Sequence, residues 1–234
     1  MSHDEALAPP PVATVRARPV LWAVLPGLLL VVAGLTAFFG VLDGVREKDD
    51  LWDLDQPVLD WLVAHRTTGF TSALAAITFV SGPTVLPILV GVACLVWALV
   101  TKERWRPLLL AAAMIGSTAI SLAVKGLVGR ARPPAETMLV PGAETTASFP
   151  SGHTLGAATF LLVAGYLVCS RRPTVGRLVG WGIATVVGTG LVALSRLYLG
   201  YHFLTDVVAS MALAVAVLGV VVIVDRLHAG RSPG

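Results

Sequence analysis

Residues 20–42 of the chain, VLWAVLPGLLLVVAGLTAFFGVL, contain no charged side chain. An α-helix rises about 1.5 Å per residue, so about 20 apolar residues cross the hydrocarbon core of a bilayer. The run is longer than the apolar core of a signal peptide, and no small-residue cleavage pattern follows it. We therefore predict that residues 20–42 form a transmembrane helix that is retained in the protein.

The composition of the whole chain is that of a polytopic membrane protein. Of its 234 residues, 56% are hydrophobic and only 13% are charged, against about 45–50% and about 25% in soluble domains. The mean hydropathy is +0.81. These values exclude a disordered chain, a basic nucleic-acid-binding domain and a typical soluble enzyme. The two cysteines, Cys94 and Cys169, lie in separate apolar runs, which excludes a disulfide framework and a cysteine metal site.

Further apolar runs predict an all-α integral membrane protein, a bundle of six transmembrane helices. The predicted spans after the first cover residues 83–101, 107–128, 152–169, 178–195 and 204–225. Ser81-Gly82-Pro83 interrupts the second apolar run, so we expect residues 70–80 to lead into that span. The length fits one membrane domain, over residues 20–225.

The remaining segments are predicted to lie outside the bilayer. Residues 1–19 are polar and proline-rich and are expected to form a disordered tail, and residues 226–234 form a second, short tail. Residues 43–69 contain seven of the fourteen acidic residues. We interpret this segment as a solvated loop in which Asp55-Gln56-Pro57 starts a short helix at the membrane interface.

The distribution of basic residues predicts the orientation in the membrane. Ten of the seventeen Lys and Arg residues lie on the side that carries both termini: Arg16, Arg18, Lys102, Arg104, Arg106, Arg171, Arg172, Arg177, Arg226 and Arg231. The positive-inside rule makes that side cytoplasmic, so residues 43–69 and 129–150 are expected to be outer loops. The Ala-, Val- and Arg-rich composition favours a bacterial source, and hence a multi-pass protein of the inner (cell) membrane.

Three polar motifs stand out from this apolar chain, and the predicted topology places all of them at the outer ends of their helices. They are Lys125-Gly-Leu-Val-Gly-Arg130-Ala-Arg132-Pro133, Pro150-Ser151-Gly152-His153, and Ser195-Arg196-x5-His202-x3-Asp206. Charged groups near the bilayer are unfavourable unless they are paired, solvated or used in function. We therefore expect the three motifs to line one pocket at the outer membrane interface.

The residue types in these motifs predict a phosphate site. Lys125, Arg132 and Arg196 supply positive charge, and an arginine matches phosphate oxygens with two parallel hydrogen bonds. Ser151-Gly152 lies directly before or at the start of a predicted helix, where free backbone N–H groups bind anions. The ligand that fits this set of groups is a phosphate.

The two motif histidines predict nucleophilic and acid–base chemistry. His202 and Asp206 are four residues apart and share a helix face, so the carboxylate can fix one imidazole tautomer and leave the other nitrogen free to attack phosphorus. His153 is a second proton carrier, placed to protonate the departing oxygen. No cluster of carboxylates is present for Mg²⁺, so we expect a site without metal or another cofactor.

The three motifs, in this order and with these spacings, resemble the signature of the type 2 phosphatidic acid phosphatase superfamily, over about residues 70–225. The resemblance implies a metal-independent membrane phosphatase in which His202 is the nucleophile, Asp206 its partner and His153 the general acid. It also implies phosphate binding by Lys125, Arg132, Ser151, Gly152 and Arg196. Arg130 is an extra cation outside the signature; its role stays open, and we favour a solvated or lipid-headgroup-binding residue.

The resemblance implies a lipid phosphate or pyrophosphate as the substrate. An outward site favours a polyprenyl pyrophosphate, with phosphatidylglycerol phosphate and phosphatidic acid as alternatives. Residues 135–140 are either a lip at which the lipid enters or a plain connector. Phosphoryl transfer to an alcohol is a second enzymatic possibility, and a lipid transporter is the alternative outside enzymology. The expected partners are the substrate lipid and the bilayer, with no nucleic acid; the oligomeric state stays open.

Overall fold

The computed structural model describes residues 20–142 and 144–231, and within these ranges all regular structure is helical. The α-helices of these ranges, in chain order, are α1 Val20–Glu47, α2 Asp55–Ala64, α3 Thr68–Val80, α4 Val85–Thr101, α5 Trp105–Val128, α6 Gly152–Cys169, α7 Val175–Tyr198 and α8 Leu204–Ala229. Two 3₁₀ turns, Asp50–Leu54 and Ala135–Thr137, lie in the two long loops. The predicted tail over residues 1–19 lies outside the described residues.

Five helices of the described chain are long and apolar enough to cross a membrane: α1, α5, α6, α7 and α8. The second predicted span, residues 83–101 with 70–80 leading into it, corresponds to α3 and α4 together, which bend by 52° at the break between Val80 and Val85. Counted as one broken span, this pair gives the six-span, all-α arrangement predicted from the sequence. Pro83 explains the break, since proline lacks the N–H that would continue the helix.

Several predicted boundaries differ from the structure. α1 continues to Glu47, so residues 43–47 of the predicted acidic loop are the last turn of a helix. α8 continues to Ala229, into the predicted C-terminal tail. The apolar run marks where a helix crosses the hydrocarbon, whereas the helix itself continues into the polar region. Arg46 and Arg226 are accordingly exposed in these terminal turns.

α8 packs against α1 by close approach of the two backbones. A Cβ atom added to Gly34 would lie 2.6 Å from the carbonyl oxygen of Ala212, and one added to Gly219 would lie 2.5 Å from that of Gly27. Small residues at such an interface allow the van der Waals contact that holds transmembrane helices together. α8 also contacts α5 and α6, so it lies at the centre of the bundle.

The two ends of the bundle carry different polar groups. At one end, Asp225 accepts hydrogen bonds from Trp105 Nε1 and Tyr166 Oη, both at 2.9 Å, and Glu103 pairs with Arg171 at 2.6 Å. At the other end, the C-terminal ends of α5 and α7 meet the N-terminal ends of α6 and α8. All three sequence motifs lie at this second end, as the alternating direction of the helices predicts.

Candidate active site

A left-handed turn between α7 and α8 positions the third motif. Gly200 has a φ of +76°, and a Cβ atom there would lie 2.1 Å from the carbonyl oxygen of Thr137, so the turn requires glycine. The chain then enters α8 with Asp206 in its first turn. Asp206 Oδ2 lies 3.2 Å from His202 Nδ1 and accepts a hydrogen bond from the backbone N–H of Phe203 at 2.9 Å. This pairing places the imidazole proton of His202 on Nδ1.

The pairing with Asp206 leaves the other nitrogen of His202 available. With the proton on Nδ1, Nε2 carries a lone pair, and it lies 3.3 Å from a terminal nitrogen of Arg132. Burial lowers the pKa of His202 to about 4, although the hydrogen bond to Asp206 opposes the shift. The imidazole is therefore neutral at physiological pH, which is the form with a free electron pair.

Two arginines and a glutamate form the polar centre of the site. Arg132 donates a hydrogen bond to Glu144 Oε2 at 3.0 Å, and Arg196 donates to Oε1 of the same carboxylate. Burial raises the pKa of Glu144, but Arg196 and Arg132 lower it more, so the net shift is downward and the carboxylate is ionised. An anionic group thus lies between the two guanidinium groups, as phosphate oxygens would. Glu144 lies outside the three motifs, and sequence reasoning missed it.

A cavity of about 290 Å³ brings most of the motif residues together. Its polar lining includes Lys125, Arg132, Glu144, Thr146, Gly152, His153 and His202, with the hydroxyl residues Ser81, Ser117, Thr118 and Ser121. Its apolar wall includes Leu86, Pro87, Met114, Leu122 and Leu155, from α4, α5 and α6. The break in the second span closes the cavity near His153, since a Cβ atom on Gly82 would lie 3.6 Å from His153 Nε2. A lining that combines charged and apolar side chains fits a ligand with a charged head and a hydrocarbon tail.

Three predicted site residues lie behind the cavity wall. Ser151 caps α6, where its hydroxyl accepts a hydrogen bond from the backbone N–H of Thr154 at 3.4 Å. Asp206 contacts Nδ1 of His202, on the side of the imidazole away from the cavity. Arg196 is 1% exposed and reaches the cavity through Glu144. The structure therefore brings these residues to the site but gives Ser151 a helix-capping contact in place of an open phosphate-binding position.

The loop before α6 contributes a group that the motifs did not predict. Ser148 Oγ donates a hydrogen bond to Asp206 Oδ2 and lies 3.3 Å from His202 Nδ1. Lys125 Nζ donates to the carbonyl oxygens of Ala147 and Ser148, which holds this loop at the end of α5. The only sequence signal for Ser148 is its position just before the Pro-Ser-Gly-His motif.

The interpretation of Arg130 as solvated or headgroup-binding is wrong. Its guanidinium is buried and donates hydrogen bonds to Asp206 Oδ1 at 2.6 Å and to Asp55 Oδ2 at 2.5 Å. α5 ends at Val128, and Gly129, with a φ of +63°, turns the chain away from the helix axis. The partner Asp55 lies 75 residues earlier in the chain, so local sequence gave no sign of the pairing.

The predicted acidic loop is solvated only in part. α2 begins at Asp55, at the predicted helix start, but this residue is 3% exposed. Its carboxylate accepts hydrogen bonds from the backbone N–H of Thr205 at 2.8 Å and from the Thr205 hydroxyl at 2.7 Å. Asp55 is thus a buried acceptor at the start of α8, where the sequence indicated a solvated face.

Residues 135–140 do not border the cavity. Met138 is buried in a cluster that includes Leu197 and Tyr198 of α7, and the backbone N–H of Leu139 donates to the carbonyl of Leu199 at 2.9 Å. This packing against the end of α7 favours a connector over a lip at the cavity entrance.

The groups around the cavity offer a neutral imidazole, a second histidine and positive charge. That charge comes from Lys125, Arg132 and Arg196. Within the described ranges, no group of three or more His, Cys, Asp or Glu side chains is arranged to hold a metal ion. A lone pair beside several cations is suited to attack on a phosphorus centre, whose oxygens gain negative charge during the reaction.

Comparisons with known proteins identify the family. The sequence-family model of the PAP2 superfamily matches residues 106–228, a range that is more than half of the chain and contains all three motifs. Phosphatidylglycerophosphatase B of Bacillus subtilis (strain 168) is 26% identical over 182 residues. That alignment covers 76% of this chain and 87% of the relative.

Two solved structures share the fold. The crystal structure of a transmembrane PAP2 type phosphatidylglycerolphosphate phosphatase from Bacillus subtilis matches with a TM-score of 0.69 and 23% identity, over 86% of this chain and 98% of that one. The crystal structure of Aquifex aeolicus LpxE matches with a TM-score of 0.51 and 18% identity, over 75% of this chain and 95% of that one. The chain therefore belongs to the PAP2 superfamily and is a membrane phosphatase of that family.

Proposed function

We propose that this protein hydrolyses a lipid phosphate or pyrophosphate through a phosphohistidine formed on His202, without a metal ion. The observation that carries the proposal is the position of His202 Nε2, which lies 3.3 Å from Arg132 at a cavity that is also lined by apolar residues of α4, α5 and α6. The N-terminus of α6, at Gly152 and His153, faces the same cavity and favours negative charge.

In the first step, Nε2 of His202 attacks phosphorus, and the bond between phosphorus and the leaving oxygen breaks. His153, in its protonated form, donates its proton to that oxygen. The lipid leaves as an alcohol, or as a lipid monophosphate when the substrate is a pyrophosphate. The phosphorylated imidazole keeps its Nδ1 proton and is positively charged, and Asp206, 3.2 Å away, offsets this charge.

In the second step, water attacks phosphorus and the bond to Nε2 breaks. Neutral His153 takes a proton from the water and returns to its starting form, while His202 returns to the neutral imidazole and inorganic phosphate leaves. Both steps place negative charge on the phosphoryl oxygens. Lys125, Arg132 and Arg196 stabilise this charge, because they are held in place before the reaction begins.

The apolar wall of the cavity supports a lipid substrate. Leu86 and Met114 line the cavity and belong to α4 and α5, whose exposed apolar side chains, such as Ile88 and Ile115, suit contact with lipid, so a hydrocarbon tail can remain beside these helices while the headgroup reaches His202. A polyprenyl pyrophosphate is the substrate that we propose first, because an outward-facing site meets a carrier lipid whose headgroup lies at that face. Phosphatidylglycerol phosphate is the second candidate, favoured by the likeness to phosphatidylglycerophosphatase B of Bacillus subtilis.

Phosphate release by the purified protein in detergent micelles tests this proposal. The panel contains a polyprenyl pyrophosphate, phosphatidylglycerol phosphate and phosphatidic acid, each with EDTA and each beside His202→Ala. We expect release that resists EDTA and is lost in the variant, and the ranking of lipids selects the substrate. Release that EDTA abolishes would contradict the metal-free mechanism. No release at all would contradict the hydrolase and favour phosphoryl transfer to an alcohol or lipid transport.

The proposed orientation in a bacterial inner membrane, with the site outside and both termini inside, has its own test. Thr145→Cys, in the exposed loop beside the cavity, should react with a membrane-impermeant thiol reagent in intact cells. Pro173→Cys, at the opposite end, should react only after permeabilisation. Cys94 and Cys169 are buried, which keeps the background low. The reverse pattern would remove the basis for preferring a polyprenyl pyrophosphate but leave the catalytic assignments intact.

A further inference from the structure

The side of Asp206 that faces away from the cavity carries a closed polar cluster. Arg130 lies between Asp206 and Asp55 and donates to Oδ1 of the first at 2.6 Å and to Oδ2 of the second at 2.5 Å. The rings of Trp52 and Phe203 each lie 4.5 Å from the central carbon of the guanidinium. None of the three charged side chains is more than 6% exposed. Protein groups therefore enclose the guanidinium, away from water and substrate.

Asp55 also holds the first turn of α8. Its two carboxylate oxygens accept the backbone N–H and the hydroxyl of Thr205, at 2.8 and 2.7 Å. Thr205 Oγ1 in turn accepts a hydrogen bond from Arg130 at 2.6 Å. Because Thr205 directly precedes Asp206, this ring of contacts fixes both the backbone and the side chain of Asp206.

The two oxygens of Asp206 thus have separate partners. Oδ1 binds Arg130, whereas Oδ2 faces His202 Nδ1 at 3.2 Å and accepts hydrogen bonds from Ser148 and from the backbone N–H of Phe203. A carboxylate held at one oxygen cannot turn its other oxygen away from the imidazole, and groups that support a reactive residue in this way tune its orientation.

We propose that Arg130 and Asp55 are a positioning pair, which holds Asp206 in the orientation that keeps the proton of His202 on Nδ1 and directs Nε2 into the cavity. The pair touches no substrate, since neither residue belongs to the cavity wall. This role rests on the proposed function of His202 as the nucleophile.

A charge-balanced double variant separates positioning from folding. Removing one member alone leaves a buried unpaired charge, which is strongly destabilising. Arg130→Met with Asp55→Asn removes one positive and one negative charge together. Methionine is flexible enough to pack between the two aromatic rings, and asparagine can still accept from the backbone N–H of Thr205 and donate to its hydroxyl. The protein is expected to fold, because Asp206 Oδ2 keeps its hydrogen bonds from Ser148 and from the backbone N–H of Phe203 while Oδ1 loses its partner.

The test compares kinetics and the histidine tautomer in the double variant and the wild type. We expect kcat for lipid phosphate hydrolysis to fall about 10- to 100-fold, the same scale as the loss of an outer partner that orients a metal ligand. We expect KM to change by less than about threefold, because the cavity wall is intact. In ¹⁵N-histidine NMR, the His202 signal, identified by its loss in His202→Gln, should change from one tautomer to a mixture.

Arg66→Met is a matched control at the same end of the bundle. Arg66 is a partly buried arginine that donates to the backbone carbonyls of Tyr198 and Thr137, both at 2.7 Å. Its loss should lower Tm but leave the His202 tautomer unchanged. Arg130→Lys is the second variant if the double variant does not fold, because one ammonium group cannot reproduce the two-sided contact. We expect Arg130→Lys, like the double variant, to lower kcat and to give a mixture of His202 tautomers.

A double variant with wild-type kcat and a wild-type tautomer would overturn the positioning role. A raised KM with unchanged kcat would overturn it too, because that pattern belongs to a group that binds substrate. If the wild-type protein releases no phosphate, the proposed function fails, and the tautomer measurement still decides whether Arg130 and Asp55 position His202.

Discussion

Arg130 and Arg132 are separated by one residue and act on opposite sides of the His202–Asp206 pair. Burial does not distinguish them, since their side chains are 6% and 8% exposed. Their partners do. Arg130 binds two carboxylates that are at most 4% exposed, whereas Arg132 binds Glu144, which is 23% exposed and lies on a loop at the cavity. An arginine whose partner can be exchanged is suited to bind a ligand, and one with enclosed partners is suited to set geometry.

The largest effect is expected from Asp206→Asn, because Asp206 joins the buried Arg130 to His202 at the cavity. The amide keeps the size of the carboxylate but can stabilise the wrong tautomer of His202, and the equivalent change in a serine protease lowers kcat about 10⁴-fold. We expect kcat to fall about 10³- to 10⁴-fold with little change in KM, because Asp206 lies behind the cavity wall. Steady-state phosphate release measures this, with His202→Ala as the lower limit. A change in KM alone would contradict the assignment.

Arg132→Lys tests the open side and should have the next largest effect. Lysine keeps the charge but loses the two parallel N–H groups that match a phosphate. One lost charge-assisted hydrogen bond contributes about 1.5–3 kcal/mol, which corresponds to about 10- to 100-fold in kcat/KM. We expect both a raised KM and a lowered kcat, because Arg132 binds the phosphate and also stabilises the charge that develops on it, in contrast to Arg130→Lys, whose effect lies in kcat alone. Wild-type kcat/KM in Arg132→Lys would show that only the charge matters.

The pKa of His202 sharpens the comparison, because the cavity-side arginines contribute to it. Burial and, to a smaller extent, Arg196 and Arg132 lower this pKa while Asp206 raises it, and the net value is about 4. We expect NMR titration of the substrate-free protein to give a midpoint near 4, so the neutral nucleophile persists far below the ordinary value of about 6.5. Arg132→Gln removes a positive charge and should raise the midpoint. A wild-type midpoint near 6.5 would mean that water solvates the imidazole.

The open side and the bundle around it could be predicted from the sequence. Apolar runs of about 20 residues have few alternatives to a membrane-spanning helix, and alternating helix direction brings the three motifs to one end. Lys125, Arg132, His153 and His202 were recognisable because their residue types and spacing lie within single motifs. Local pattern was therefore enough to find these four cavity-lining residues.

The closed side could not be predicted in this way. Asp55 lies 75 residues from Arg130 and 150 residues from Thr205 in the chain, and its position in an acidic segment pointed to solvent. Glu144 and Ser148 were missed for a related reason, because they lie in a loop without periodicity, where contacts depend on the path of the chain. Ordinary residue types in loops acquire their role only through the tertiary fold.

The smallest effect is expected at Glu144, the exchangeable partner on the open side. Its carboxylate lies between Arg132 and Arg196, so a phosphate must displace it. Glutamine weakens this competition, and a partly exposed ion pair contributes about 1 kcal/mol, or about fivefold in binding. We expect Glu144→Gln to lower KM and the inhibition constant of inorganic phosphate by that factor, while the matched change Glu136→Gln, exposed in the same loop, alters neither. A raised KM would instead make Glu144 a permanent partner that helps to place the substrate, and the contrast between the two arginines would lose its basis.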